Sequence, residues 1–232
     1  MEIDKSNTTN PSNEAPNAVR NKYLARLLPV IKQRGFSHLR IDDIVRSMDI
    51  SKATFYKHFS SKEEIIELVV EMIIGYLKQM ATQLEDEAAP YVQRFQHIFG
   101  QSLLLASYLS DTFLLDLRQV FPSLWERLKQ AQQERQRYIQ RFYEQGLAAA
   151  VFQPINPILV VLQDELMLGN IISPIFLVEH NLTLHTLLYD YYTLQKYQWL
   201  VPEARSQVDD TPVKDYIDMM ARKISLRMHV DT

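Results

Sequence analysis

The chain has 232 residues, 47% of them hydrophobic and 23% charged, with a formal net charge of -3 and no cysteine. A fold of this size buries roughly 70% of the surface of its unfolded chain, so it does not depend on disulfides or a structural metal, and the lack of thiols excludes thiolate catalysis, iron–sulfur ligation and thiolate zinc sites. Charges interrupt every long apolar run, which argues against a membrane span, and the opening MEIDKSNTTNPSNEAPN lacks the apolar stretch of a secretion signal, so the expected compartment is the cytoplasm.

The charge is unevenly distributed. Residues 18–62 hold ten Lys/Arg against three Asp/Glu, a balance of +7, whereas residues 1–17 carry -2 and residues 63–232 carry -8. A basic head joined to an acidic body suits a protein that presents one end to a polyanion. Charge alone does not separate DNA, RNA and an acidic membrane, so the fold of the head has to decide.

Residues 1–17 are rich in Asn, Ser, Thr and Pro and read as a disordered arm. Val19, Tyr23, Leu24, Leu27, Leu28 and Ile31 recur at three and four residues, which predicts a first helix over 18–34, bent or irregular near Pro29 and stopped by Gly35. A second, over 40–48, aligns Ile41, Ile44, Val45 and Met48 and carries Asp42 and Asp43 in its first turn. A third spans 51–58. Ser51 caps it, Phe55 and Phe59 point inward, and Lys52, Ala53, Thr54, Tyr56, Lys57 and His58 form its outer face. Ser60-Ser61-Lys62-Glu63-Glu64 contains two overlapping capping boxes, Ser60 with Glu63 and Ser61 with Glu64, and opens a long fourth helix. Further helices are predicted over 88–108, 111–119, 122–149, 157–173, 182–200 and 212–229. No segment alternates as a strand does, so the expected fold is all-α.

Three short helices in 45 residues, the last exposing lysines and hydroxyls, describe a helix-turn-helix unit, because a reader of the major groove must be short, capped and backed by bulky apolar residues. The segment GFSHLRIDDIVRSMDISKATFYKHFSSKEEI, with Gly35-Phe36, Ile44, Ile50-Ser51-Lys52, Phe55-Tyr56, His58-Phe59 and Lys62-Glu63 in register, resembles the N-terminal signature of TetR-family transcriptional regulators over residues 18–70. Asp49 stands where that family commonly has a turn glycine. Leu39 and Arg40 stand where it usually has a Thr or Ser cap, with Ser37 as a candidate substitute.

The resemblance implies a helix-turn-helix domain over 18–62 and a larger helical ligand-binding and dimerisation domain over 63–232. It also implies that the third helix enters the major groove, with Tyr56, His58 and Lys62 on phosphates and Ala53, Thr54 and Lys57 toward bases or adjacent phosphates. For His58, capping of the helix end stands beside phosphate contact. Ser51 and Lys52 lie at the start of the helix, Lys52 toward phosphate or solvent, and Ser37 and Arg40 are further phosphate candidates. The expected partner is a palindromic double-stranded DNA operator, bound by a homodimer.

For the dimer interface the apolar helices near the C-terminus offer Val161, Leu168, Leu184, Leu187, Leu188, Tyr191 and Leu194, which equally suit an intrachain core. The resemblance places a ligand cavity in the body, with Met72, Gln101, Tyr108, Phe113, Leu117, Phe121, Trp125, Phe142 and Phe176 as candidate lining, suited to a small apolar or aromatic effector. The polar stretch from Gln130 to Arg137 is expected to face solvent or a wet part of the body. Glu179, His180 and His185 lack the spacing of a helical metal site, and no cofactor is expected. An enzyme using the cavity lacks a phosphate loop, an HExxH pair or an acid–base cluster. A ligand-independent DNA-binding or adaptor dimer is the other alternative.

Overall fold

The computed structural model describes residues 11–84 and 88–228. These residues form α1 (Pro11–Arg34), α2 (Ile41–Met48), α3 (Lys52–His58), α4 (Lys62–Leu84), α5 (Tyr91–Tyr108), α6 (Asp111–Val120), α7 (Pro122–Ala148), α8 (Ile158–Ile171), α9 (Pro174–Glu179), α10 (Leu184–Trp199), α11 (Pro202–Arg205) and α12 (Thr211–Met228). The fold is all-α, a helix-turn-helix arrangement followed by a larger helical part. Extended pairing among the described residues is confined to one antiparallel bridge between Phe152 and Leu200. No single described helix is long and apolar enough to cross a membrane.

The first helix starts seven residues before its expected beginning, at Pro11, because once a packed segment nucleates a helix, extending it outward costs little per residue. The expectation of disorder for residues 1–10 lies outside the described residues. The helix runs on through Pro29 to Arg34 and ends at Gly35, whose φ of 72° is the left-handed conformation of a helix stop. Asp49 takes the same conformation after α2, with φ 55° and ψ 54°, and so makes the turn without a glycine. Two short helices, α9 and α11, were not expected. Both begin at a proline, which presets the first turn in stretches too short to show a period.

Two hydrophobic cores hold the chain. One joins α1, α2 and α3 to α4 and continues into Phe113 and Leu117 of α6 and Leu124, Leu128 and Ala131 of α7. The other lies among α5, α7, α8, α10 and α12. Packing of the basic head therefore runs past residue 62 into the body, along α4, which lies against α7.

Candidate nucleic-acid interface

The third helix is built as its sequence requires. The Ser51 hydroxyl accepts from the Thr54 amide at 3.0 Å and hydrogen-bonds the Thr54 hydroxyl at 2.9 Å. Phe55 and Phe59 are fully buried, with rings 5.6 Å apart, which sets how the helix sits on α1 and α4. The opposite face then points to solvent. Lys52, Ala53 and Lys57 are exposed, Tyr56 is 59% exposed, and Thr54 and His58 are partly covered. The His58 ring meets Tyr23 of α1 edge-on at 5.5 Å, so it packs against the head while keeping an accessible edge. Lys52 pairs with Asp42 of α2 at 2.6 Å, and that carboxylate raises the lysine pKa. Arg40 is exposed at the start of α2, where its own amide donates to Asp43 Oδ2 at 3.0 Å. That bond does the capping expected of Ser37.

Two residues expected on phosphates have their polar groups engaged inside the chain. The Lys62 ammonium donates to the carbonyls of Phe36, Ser37 and Leu39 at 3.1–3.2 Å. Three protons meet three acceptors, so this lysine fixes the α1–α2 loop instead of reaching outward. The Ser37 hydroxyl donates to Asp116 Oδ1 at 2.9 Å, while the amides of Ser37 and Phe36 donate to Asp116 Oδ2 at 2.8 and 2.6 Å. Asp116 belongs to α6. Ser110, at the start of α6, donates to the carbonyl of Lys32 at 2.6 Å. The loop that orients the head is thus held from α4 through its carbonyls and from α6 through its amides. Burial pushes the Asp116 carboxyl up. The two Ser37 bonds, the Phe36 amide and nearby His38 outweigh this and leave its pKa below the ordinary value.

At the entry to α4, one of the two anticipated capping boxes forms in shifted register. Ser61 accepts from the Glu64 amide at 3.2 Å, while Glu64 reaches back to the amide and hydroxyl of Ser60 at 2.6 and 2.7 Å. Glu64 also pairs with Arg20, whose guanidinium lies over the Phe59 ring at 5.2 Å, so α1, α3 and α4 meet at one charged junction.

The body does not gather the expected ligand-lining residues into one place. Phe113 and Leu117 are fully buried in the head-side core, with Phe121 and Trp125 packed against it, whereas Phe142 is fully buried in the other core. Met72 points outward, and Phe176 of the short α9 meets His180, just past its end, with ring centroids 4.4 Å apart and planes tilted by 52°. Gln101 and Tyr108 lie on α5, the former buried and the latter partly so. Aromatic residues at helical spacing filled cores here because close packing on each side of α4 and α7 needs large side chains.

Sequence reasoning missed the polar interior of the body. Arg135 of α7 donates to the Ser102 hydroxyl of α5 at 2.8 Å, and Asp164 of α8 accepts from Tyr191 at 2.9 Å and from Gln195, both on α10. Of the stretch from Gln130 to Arg137, most faces solvent or is partly covered, as expected, but Arg135 is buried. A usable signal existed for Asp164, which falls on the inward stripe of Val160, Val161, Leu168 and Ile171. Burial pushes the Asp164 carboxyl up despite its hydrogen bonds, and burial pulls the Arg135 pKa down. Among the described residues, no group of three or more His, Asp or Glu could hold a metal ion.

The C-terminal helices also differ from expectation in which face they turn outward. Val161, Leu168, Leu184, Leu188 and Tyr191 are buried within the chain and Leu187 packs against the same core, so these six do not form an exposed interface; Leu194 alone of that set is exposed. The accessible apolar surface comes instead from Ile158, Leu159, Leu162, Leu166 and Met167 of α8 with Leu194 and Tyr197 of α10. Both helices are apolar on two sides, and packing chose the other side for the core.

Residues 25–69 match the family profile of bacterial regulatory proteins of the tetR family. The transcriptional repressor DhaR of a Mycobacterium strain is 29% identical over 118 residues, 44% of this chain and 60% of that protein. The biofilm operon negative transcriptional regulator IcaR of Staphylococcus aureus is 28% identical over 86 residues, 35% of this chain and 46% of that one. The chain thus spans about half the length of such curated relatives. Among solved structures, a transcriptional regulator from Saccharomonospora viridis in complex with choline superposes with a TM-score of 0.56 at 15% identity, covering 80% of this chain and 99% of that one. Reduced NemR of E. coli superposes at 0.54 with 16% identity, covering 79% and 98%. At these identities the likeness shows the fold alone. The head over 25–69 thus resembles the DNA-binding head of bacterial regulatory proteins of the tetR family, and the helical architecture that follows it has the fold of such regulators.

Proposed function

We propose that the protein is a homodimeric repressor that binds a palindromic operator through α3 and is released when a small molecule occupies the body. The observation that carries this reading is the two-sided build of α3, with Phe55 and Phe59 buried and Ala53, Tyr56 and Lys57 open to solvent on a head of charge +7. Lys57 has the reach and donors for guanine O6 and N7, Ala53 permits close approach, and the Thr54 methyl suits a thymine methyl. Tyr56, Arg40 and the open edge of His58 suit phosphates, which set position more than sequence.

One head reads too few base pairs to find a site alone, which favours a twofold dimer with half-sites about one helical turn apart. The exposed apolar strip on α8 and α10 supports pairing of two bodies in a four-helix packing. Because α4 lies in the head-side core and packs along α7, which enters both cores, a shift in the body would change the separation of the two heads.

Selection of bound sequences from a random duplex pool, followed by a salt series on the enriched and random duplexes, tests the reading. The expected result is an inverted repeat bound at least roughly a thousandfold more tightly than random DNA, with affinity falling as salt rises. Equal affinity for both duplexes would overturn sequence-specific regulation.

A further inference from the structure

We propose that the molecule sensed by the body carries an anionic group, specifically a carboxylate, and that Arg135 receives it. This rests on the regulatory reading above and adds the chemistry of the effector. Arg135 is buried in the body, on α7, which packs along α4. One of its terminal nitrogens donates to Ser102 at 2.8 Å, while among the described residues its Nε has no hydrogen-bond partner and no carboxylate lies within ion-pairing distance. Asp164, the carboxylate with most influence on Arg135, is itself engaged by Tyr191, Gln195 and Ser102 and meets the guanidinium only through the shared serine. A guanidinium in a dry interior with part of its donor fork unmatched is a receptor for a planar oxyanion, which accepts two parallel N–H bonds.

The surroundings suit an organic anion. Gln101, the neighbour of Ser102 in α5, is buried as well, with its amide nitrogen on Gln83 at 3.0 Å and its Oε1 without a partner among the described residues, a second unmatched polar atom in the interior. Tyr76 of α4 lies within electrostatic reach of Arg135, Tyr108 and Tyr216, and these phenols bring aromatic walls from α4, α5 and α12. All three tyrosines are only partly buried. A cation is disfavoured by the guanidinium, and a neutral molecule leaves it only the indirect influence of Asp164, which is already committed to Tyr191, Gln195 and Ser102.

The test uses the full chain with benzoate, 4-phenylbutyrate and octanoate, each beside its uncharged primary amide, followed by isothermal calorimetry and thermal unfolding. At least one carboxylate is expected to bind and raise the unfolding temperature, with its amide at least tenfold weaker. Arg135→Gln is expected to lose that preference, and Arg135→Lys, which keeps the charge and guards against a folding defect, to retain it in part. Amides binding as tightly as carboxylates, no binding by any carboxylate, or full carboxylate affinity in a folded Arg135→Gln protein would overturn the proposal. Operator binding is measured on the same samples without probe. Its absence beside intact carboxylate binding would sink the regulatory reading and leave the anion site standing.

Discussion

Tyr56 and Lys57 are neighbours on α3 for which the proposed reading assigns different tasks, one on the DNA backbone and the other on base edges. Tyr56→Phe is therefore expected to weaken binding to specific and random duplexes by a similar factor, about three- to tenfold for one lost hydrogen bond. Lys57→Ala should act mainly on the ratio between operator variants, at about 1–3 kcal/mol per misread position. Gel-shift titrations on matched duplex sets separate the two effects, and a Lys57→Ala protein with unchanged operator preference would remove that residue from readout. Gly35 is another single-residue case. Its φ of 72° disfavours any side chain, and a β-carbon placed there would lie 2.2 Å from the Asp116 carboxylate. Gly35→Ala is expected to destabilise the chain by roughly 2–4 kcal/mol through backbone strain and a displaced carboxylate, read as a lower urea midpoint.

At the level of elements, the α1–α2 loop is gripped by α4 through Lys62 and by α6 through Asp116. This double hold gives the head two mechanical links to the body. Asp116→Asn replaces an acceptor facing two amides with a group that presents N–H in one orientation, at an expected cost of about 1–3 kcal/mol. The pH dependence has a definite sign. Because the folded pKa of Asp116 is depressed, its contribution is complete above the usual carboxylate range and is lost as pH falls through the depressed folded value. The wild-type protein should thus lose stability on acidification over that window more steeply than Asp116→Asn, as chemical unfolding at a series of pH values would show. Equal slopes would mean that the carboxylate does not carry this link. Local patterning made α3 and its Ser51 cap legible, because those interactions span three or four residues. The Asp116 clasp joins positions about 80 residues apart, and no periodicity in either segment points to the other.

For the whole molecule, the strip on α8 and α10 bears on assembly. Leu166 is 68% exposed in the isolated chain, so a charge there costs the monomer little, whereas at a packed twofold interface it would be buried against its counterpart. Leu166→Glu is expected to keep the helical circular dichroism signal, weaken dimerisation at least tenfold in sedimentation equilibrium, and lower operator affinity in parallel. A dimer of undiminished stability would place the interface elsewhere.

From its sequence alone, this protein's all-helical character, basic head, capped third helix with its exposed outer face and most helix boundaries followed, because caps, turn residues and apolar spacing act within a turn or two of backbone. Tertiary structure alone decided which of two apolar faces on α8 and α10 turned inward, which aromatics joined which core, and that Arg135, Ser102 and Asp164 meet in the interior. Those outcomes depend on the fit between elements distant in the chain, where several faces are similar in hydrophobicity and only close packing and the pairing of buried polar groups distinguish them.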